Sequence, residues 1–370
     1  MSAVGGSALM GMISGSPVGC VVTVGNFTIP LMHRAGFGRE FAGATVAVAA
    51  TAAMFTPPLM GAGAFLIAEF LRIPYSEVAK AAILPAVLFY VSLVATVYFW
   101  AVRLGITNDP DDARPDIGGT LAQYGHMVPP VIVLVALIYM GRSLMQAAFW
   151  SIVLTLACAM LRAHTRVGLP RFFTSLEEGA RGVVPIAVAC ASAGIIEAII
   201  NLTGMGFTLS DVLIGMSQGQ PFVLLLLVMG VAILLGLALP PTAVYLILAG
   251  LTVPAMTAAG FEPLAGHLFV FFYSSMGAVT PPVALAAYAA AALSDADVDR
   301  TGWLAFRLGL AGYVIPFLCM YYSGLLLIGS AGAILIATVL SVAIILAASV
   351  LVHFINRSLD RVTTAPTSAV

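Results

Sequence analysis

The sequence predicts an all-α, polytopic membrane protein made of two inverted repeats, each with a re-entrant helical hairpin and a discontinuous transmembrane helix. Three observations lead to this fold class. The composition is too apolar for a soluble chain, a set of short motifs occurs twice at a constant spacing, and prolines interrupt the apolar segments at matching places.

The composition places the chain in a membrane. Of its 370 residues, 61% are hydrophobic and 8% are charged, and the mean hydropathy is +1.08. A soluble domain carries about 25% charged residues. The net charge of −1 and the single lysine, Lys80, argue against a basic surface that binds nucleic acid.

A duplication is visible in several short motifs. Thr28, Gly36 and Thr56 each have an identical counterpart 224 residues later. A constant offset across several motifs indicates an internal repeat. The first copy comprises residues 14–17, 28–32, 35–37 and 55–58, and the second comprises 239–242, 252–256, 259–261 and 279–282.

Each copy is interpreted as a hairpin followed by a broken helix. The apolar stretch 3–32 is interrupted at 14–17, and each remaining arm is shorter than the about 20 residues that a spanning helix needs. We therefore predict hairpins at 3–32 and 221–259, with tips at 14–17 and 240–242. Because proline lacks a backbone donor and clashes with the preceding turn, broken helices are predicted at 42–71 and 265–293, around Thr56 and Thr280.

The remaining apolar stretches are interpreted as intact spans. We predict spans at 79–102, 124–140, 144–162, 183–202, 304–327 and 331–355, an interfacial amphipathic helix at 172–181 and a glycine-rich loop at 204–219. The chain then divides into the first hairpin and broken helix (1–71), a scaffold (72–219), the second hairpin and broken helix (220–293), and closing spans with a polar tail (294–370).

The number of spans places the two copies in opposite orientations. Between the first broken helix and the second hairpin lie four intact spans, so the second hairpin enters from the other side. Twelve arginines fall on one predicted side, and two arginines and Lys80 fall on the other. The positive-inside rule makes the arginine-rich side, with the C-terminus, cytoplasmic.

The interruptions predict a binding site for ions and solute. Backbone carbonyls that lose helical partners must be buried in protein or face a polar cavity, and they can coordinate Na⁺ together with hydroxyls. Half-helix N-termini favour an anionic substrate. The candidate hydroxyls are those of Ser14, Ser16, Thr56, Thr242 and Thr280. The alternative is that the Pro-Pro pairs merely kink packed helices.

Other candidate residues allow both a functional and a structural interpretation. Glu197 lies within a predicted span, where an acid is a functional hypothesis, or extends to the interface. Ser274 and Ser275 line the cavity or serve helix packing. The sequon at Asn201 is interpreted as a chance match. Neither GxxxxGK[ST] nor HExxH occurs, so no ATP motor or zinc protease, and no enzyme, is predicted.

Several motifs resemble those of a known family. The residues 13–16, 27–32, 57–65, 68–70, 236–240, 280–288 and 300–303 resemble the large membrane subunit of tripartite ATP-independent periplasmic (TRAP) transporters. The closest resemblance is to fused permeases that work with TAXI-type binding proteins. It covers nearly the whole chain.

The resemblance implies a Na⁺-coupled symporter in the bacterial inner membrane, with an elevator mechanism and no cofactor besides the coupling ion. A periplasmic TAXI-type binding protein would deliver an organic acid, and a small four-helix membrane subunit would complete the permease. The implied Na⁺ sites are Ser14, Gly15, Ser16, Phe55, Thr56 and Pro57 in the first copy, and Pro240, Pro241, Thr242, Ala278, Thr280 and Pro281 in the second. Substrate contacts would come from Ser16, Thr56, Thr242, Ser274 and Ser275.

The chain departs from the family pattern at three places. Residues 49–55 hold one hydroxyl and no glycine before the first Pro-Pro pair, and Pro241 stands where a second threonine is usual. By the 224-residue offset, nothing precedes the first hairpin that matches 124–202, so we expect a C-terminal portion, or helices supplied by another polypeptide. Two alternatives stay open: a different ion-coupled carrier of the dicarboxylate or citrate type, and a transport-inactive fragment or scaffold.

Overall fold

The computed structural model describes residues 1–106 and 117–363, which form helices joined by turns, with no β-strand among them. The all-α prediction is confirmed. The first unit consists of α1 (Ser2–Ser14), α2 (Pro17–Arg34), α3 (Arg39–Ala52), a 3₁₀ turn at Ala53–Phe55, and α4 (Gly63–Leu71).

The first hairpin turns at two residues between α1 and α2. Gly15 has a φ of 64°, a conformation that glycine adopts without the steric penalty of a Cβ. Ser16 caps the N-terminus of α2 through its side chain, and Pro17 follows at the first helical position. The arms pack back on each other, since a Cβ on Gly6 would lie 3.7 Å from Val24.

Six helices follow before the second copy begins. They are α5 (Tyr75–Arg103), α6 (Ile117–Tyr124), α7 (Pro129–Tyr139), α8 (Leu144–Met160), α9 (Leu169–Thr203) and α10 (Met205–Met216), with a 3₁₀ turn at Gly125–Met127. The predicted spans at 79–102 and 144–162 correspond to α5 and α8.

Three predictions for this region are wrong in detail. The predicted loop at 204–219 instead contains the helix α10. Gly204 and Gly219 do not interrupt it, since both lie outside its ends. The interfacial helix and the span after it form one helix, α9, which Arg181 supports by pairing with Glu177 one turn earlier at 2.7 Å. The predicted span at 124–140 is bent by 55° where Pro129 begins α7.

The second unit repeats the first at the level of helix boundaries. It consists of α11 (Pro221–Gly236), α12 (Pro241–Ala258), α13 (Pro263–Met276), a 3₁₀ turn at Gly277–Val279, and α14 (Leu285–Ser294). Both ends of α12, α13 and the 3₁₀ turn lie 224 residues after the corresponding ends in the first unit. The predicted tips and breaks are therefore confirmed as interruptions of helix.

The chain closes with α15 (Val298–Leu308), α16 (Ala311–Tyr321), a 3₁₀ turn at Ser323–Leu326, and α17 (Ala331–Thr363). The predicted span at 304–327 begins too late and ends in the 3₁₀ turn. Helices α15 and α16 together form an apolar stretch of 24 residues, Val298–Tyr321. The predicted span at 331–355 corresponds to α17.

Helix lengths agree with a polytopic membrane protein. Three stretches of the described residues are long and apolar enough to cross a membrane alone: Tyr75–Arg103, Pro241–Ala258 and Val298–Tyr321. The bent pair at 118–139 is a fourth. Helices α1, α11 and α14 are apolar and 10 to 17 residues long, as arms that reach only part of the way must be. The inverted orientation of the two copies across a membrane stays a prediction.

The two broken helices pack antiparallel at the centre of the molecule. Arg39, at the start of α3, pairs at 2.6 Å with Asp295, which follows α14. Midway, the rings of Phe55 and Phe272 stack with centroids 4.0 Å apart. At the far end, Phe70 of α4 contacts His267 near the start of α13. Each broken helix therefore begins beside the end of the other.

Candidate functional site

Both hairpin tips line one cavity of about 800 Å³. Residues that follow the two breaks line it too, including Gly61 and Leu285. Of the predicted site residues, this cavity brings together Ser14, Gly15, Ser16, Pro240, Pro241, Thr242 and Ala278. The described lining does not include Phe55, Thr56, Pro57, Ser274, Ser275, Thr280 or Pro281.

The first tip is rich in hydroxyl oxygen. The Ser14 hydroxyl donates to the Ser16 carbonyl at 3.0 Å and accepts from the Ser16 amide at 3.2 Å. The Ser16 hydroxyl accepts from the Gly19 amide at 3.1 Å. Gly15 is pressed against Gly61, since a Cβ on Gly61 would lie 3.4 Å from the Gly15 Cα. The tip is thereby held against the segment that follows the first break.

The second tip is built from proline and apolar residues. Leu239 precedes Pro240, whose carbonyl accepts from the amides of Ala243 and Val244 at 3.0 and 3.1 Å. Thr242 is the only hydroxyl side chain between 236 and 243. The tip contributes one hydroxyl to the cavity, where the first tip contributes two.

The same threonine cap closes both helix breaks. The Thr56 amide bonds to the Ala53 carbonyl, which tightens the chain into a 3₁₀ turn, and its hydroxyl donates to the Ala52 carbonyl at 2.7 Å. The hydroxyl therefore replaces the amide that Ala52 would have met in an α-helix. Thr56 is extended, with φ −99° and ψ 121°.

The second break repeats this arrangement. The Thr280 amide bonds to the Gly277 carbonyl, and its hydroxyl donates to the Met276 carbonyl at 2.7 Å. Thr280 has φ −96° and ψ 122°. Both hydroxyls thus donate back to their own helix and satisfy carbonyls that were predicted to be free for an ion.

Tyrosine hydroxyls satisfy further carbonyls at the breaks, and sequence reasoning missed them. Tyr75 donates to the Pro58 carbonyl at 2.8 Å, and Tyr288 donates to the Pro282 carbonyl. These tyrosines are not related by the 224-residue offset, so the repeat could not have identified them. Tyr75 begins α5, the helix that follows the first broken helix. Tyr288 lies in α14, which is part of the second broken helix itself.

Three buried candidates, Phe55, Ser274 and Ser275, are not part of the described cavity lining. Ser274 and Ser275 are fully buried and donate to carbonyls four residues earlier in α13, at 2.7 and 2.9 Å. Phe55 is fully buried in the stack with Phe272. The side chain of Glu197, and that of Asn201 in the sequon, lie outside the described residues.

Six helix ends surround the cavity. Helices α2, α12, α4 and α14 begin there, marked by Ser16, Pro241, Ala62 and Leu285. Helices α1 and α11 end there. Helix N-termini carry partial positive charge and C-termini partial negative charge. No charged side chain lines the described cavity, so these helix ends set its polarity.

Part of the wall comes from the region between the two units, which no sequence motif indicated. Leu134 and Ile138 of α7, Ala148 of α8 and Gly182 of α9 line the cavity. A second, smaller cavity of about 360 Å³ lies between the first break and α5, lined by Thr56, Pro57, Ile83, Ala86, Val87, Tyr90, Val91 and Val94.

The arrangement of hairpins and breaks agrees with a family comparison. The family model described as "Tripartite ATP-independent periplasmic transporter, DctM component" matches residues 1–334. The chain belongs to this family. The resemblance inferred from the motifs is therefore confirmed, and the DctM component match spans both repeat units and the helices between them.

The curated relatives have low sequence identity to this chain, but their alignments cover most of it. The isethionate TRAP transporter permease protein DctMQ of Oleidesulfovibrio alaskensis is 22% identical over 88% of the chain. The large permease protein SiaM of a sialic acid TRAP transporter from Vibrio cholerae is 23% identical over 78%. The large permease protein UehC for ectoine and 5-hydroxyectoine of Ruegeria pomeroyi is 24% identical over 74%. The chain spans 50%, 67% and 63% of these proteins, respectively.

Proposed function

We propose that this chain forms the solute pathway of a Na⁺-coupled importer of organic acids in the bacterial inner membrane. Membership of the DctM family supports this proposal. The observation that carries it is the cavity of about 800 Å³ at which both hairpin tips and both post-break segments meet. In the proposed symporter, this cavity would hold the ion and the solute close together.

The cation would bind at the C-terminal ends of α1 and α11. These ends present carbonyls with partial negative charge, and Ser14 and Ser16 add hydroxyl oxygens beside the first of them. Unwound carbonyls and half-helix C-termini bind Na⁺ in other secondary transporters. The first tip is the better-equipped of the two, because it holds two hydroxyls in the cavity against one.

The acid would bind at the N-termini of α2, α12, α4 and α14. Their partial positive charges favour a carboxylate or another acidic group, and the described lining contains no anionic side chain to oppose it. Two relatives are named for isethionate and for sialic acid. Specificity would rest on Ser16, Thr242 and the shape of the apolar wall.

The moving unit would consist of the two hairpins and the two broken helices, and it would carry its cargo past the remaining helices as an elevator. The antiparallel packing of the broken helices supports a single moving body. The partners would be a periplasmic TAXI-type binding protein and a small four-helix membrane subunit, with the C-terminus of this chain in the cytoplasm.

Uptake into proteoliposomes tests the proposal. The chain is reconstituted with the small membrane subunit and the binding protein, and uptake of labelled organic acids is measured with an inward Na⁺ gradient or with choline in its place. We expect uptake of the cognate acid only with Na⁺. Uptake at the same rate without the gradient would overturn the coupling.

A pair of size-matched variants tests the location of the site. Thr242→Trp fills the cavity and should reduce uptake at least tenfold. Leu202→Trp adds the same bulk at a side chain that is 87% exposed and outside the cavity lining, and it should transport like the wild type. Equal loss in both variants would place the pathway elsewhere.

A further inference from the structure

A tyrosine side chain lies beside the threonine cap at each helix break. At both breaks the threonine hydroxyl donates its single proton to a carbonyl of the preceding helix. At the second break the Thr280 oxygen also lies 2.6 Å from the Tyr313 hydroxyl. Because the Thr280 proton is already committed to Met276, Tyr313 is the donor in this contact.

Tyr313 is itself held firmly in place. The Tyr273 hydroxyl donates to the Tyr313 carbonyl at 2.6 Å, which ties α16 to α13. The neighbouring Gly312 packs so closely on the end of α13 that a Cβ there would lie 2.7 Å from the Met276 sulfur. The Tyr313 hydroxyl therefore reaches Thr280 from a fixed backbone.

The first break has a related arrangement. Tyr90 of α5 donates to the Ala49 carbonyl at 3.1 Å, and its side chain also lies within hydrogen-bonding reach of Thr56. Thr56 and Tyr90 line the smaller cavity together, whereas Thr280 and Tyr313 are not among the described lining of either cavity. The two breaks therefore differ in where the pair of hydroxyls lies.

We propose that Tyr313 is a positioning residue for an ion bound at the C-terminus of α11, where Gly236 packs against Gly277 of the second break. Its hydroxyl fixes Thr280, which bonds the carbonyls of Met276 and Gly277 at the 3₁₀ turn. The same turn contains Ala278, which lines the cavity. Tyr313 does not itself contact the ion. This inference rests on the proposed Na⁺ coupling.

Thermal unfolding of the purified chain in detergent tests it without knowledge of the substrate. Unfolding midpoints are measured against NaCl at constant ionic strength, with choline chloride as the balance, and give a half-saturating Na⁺ concentration. We expect this concentration to rise about five- to tenfold in Tyr313→Phe, the size expected for one lost hydrogen bond. Thr280→Val should give a similar rise, and Thr280→Ser, which keeps the hydroxyl, should stay within twofold of the wild type.

Tyr245→Phe is the matched control. It removes a buried tyrosine hydroxyl that lies 2.8 Å from the His267 Nδ1 and contacts neither Tyr313 nor Thr280. It should lower the midpoint but leave the half-saturating Na⁺ concentration within twofold. Tyr313→Phe combined with Thr280→Val should be no worse than either change alone, because both break one relay.

Each result has a distinct meaning. A wild type stabilised by Na⁺, with an unchanged Na⁺ requirement in Tyr313→Phe, overturns the positioning role and leaves the proposed coupling intact. Equal increases in Tyr313→Phe and Tyr245→Phe also overturn it, since they reflect general loosening. A wild type that responds equally to NaCl and choline chloride overturns both the coupling and the positioning role.

Discussion

The two repeat units share their backbone but place their polar groups differently. In the first unit the hydroxyls are at the hairpin tip, where Ser14 and Ser16 line the cavity. In the second unit the tip has only Thr242. Both breaks, by contrast, have a threonine cap with a tyrosine beside it, Tyr90 at Thr56 and Tyr313 at Thr280. The two units therefore agree in their helix breaks and caps and differ in the hydroxyls of their tips.

The largest expected effect comes from the contact that presses each hairpin against its break. A Cβ on Gly277 would lie 2.5 Å from the carbonyl carbon of Gly236, so Gly277→Ala must push α11 away from the break. Overpacking typically costs about 1–3 kcal/mol, and backbone atoms cannot rotate aside. We expect little monodisperse protein by size-exclusion chromatography. The control is Gly230→Ala in α11, where a Cβ would meet open space. This variant should behave like the wild type.

In the first unit, a second substitution should rescue the corresponding overpacked contact, which tests whether the two contacts are equivalent. A Cβ on Gly11 would lie 2.4 Å from the Cβ of Ala53, the residue that corresponds to Gly277. Gly11→Ala should therefore destabilise the protein, and adding Ala53→Gly should restore most of the unfolding midpoint. If the double variant is no better than Gly11→Ala alone, the two contacts are not equivalent.

A smaller effect is expected from the threonine cap of the first break. Thr56→Val leaves the Ala52 carbonyl without its partner, and an unsatisfied buried carbonyl costs about 1–3 kcal/mol. Thermal unfolding should show a lower midpoint for Thr56→Val and a midpoint near that of the wild type for Thr56→Ser. A wild-type midpoint in Thr56→Val would show that the hydroxyl does not support the break.

The tips should differ in their response to Na⁺. Ser16→Ala removes both a cavity oxygen and the cap of α2, whereas Thr242→Ala removes a cavity oxygen alone. We expect the half-saturating Na⁺ concentration for thermal stabilisation to rise about threefold in Ser16→Ala, a modest loss typical of one cap or hydrogen bond, and less than twofold in Thr242→Ala. The reverse order would place the ion at the second tip.

The smallest effect belongs to the ion pair that joins the two broken helices. Arg39 and Asp295 are 57% and 93% exposed, and such pairs contribute less than about 1 kcal/mol. Arg39→Ala should lower the unfolding midpoint slightly at low salt and not at all at 1 M salt, because screening is then nearly complete. The charge swap Arg39→Asp with Asp295→Arg should recover the low-salt midpoint.

The sequence predicted the interruptions well because their cause is local. Two consecutive prolines follow each break, at 57–58 and at 281–282, and remove the backbone donors that would continue the helix. The 224-residue offset relates both ends of α2 and α3 to those of α12 and α13. Gly15 and Ser16 likewise have the chemistry of a helix end and a helix start.

Two kinds of feature could not be predicted. Helix α10 was missed because glycines at 204, 206, 215 and 219 suggested a loop, although its apolar residues form a helix between Gly204 and Gly219. The direction of the Thr56 and Thr280 hydroxyls depends on the 3₁₀ hydrogen bond of each backbone amide, which composition does not reveal. The wall from Leu134 and Gly182 depends on tertiary packing.

The stacked rings of Phe55 and Phe272 join the first break to α13 of the second broken helix. A Cβ on Gly63 would lie 2.0 Å from Phe271, so the chain beyond the first break is also packed tightly against α13. Sliding one broken helix past the other would have to open this aromatic contact. We therefore expect the two to move as one body, so that in the proposed transport cycle an ion and a solute held by them would cross together.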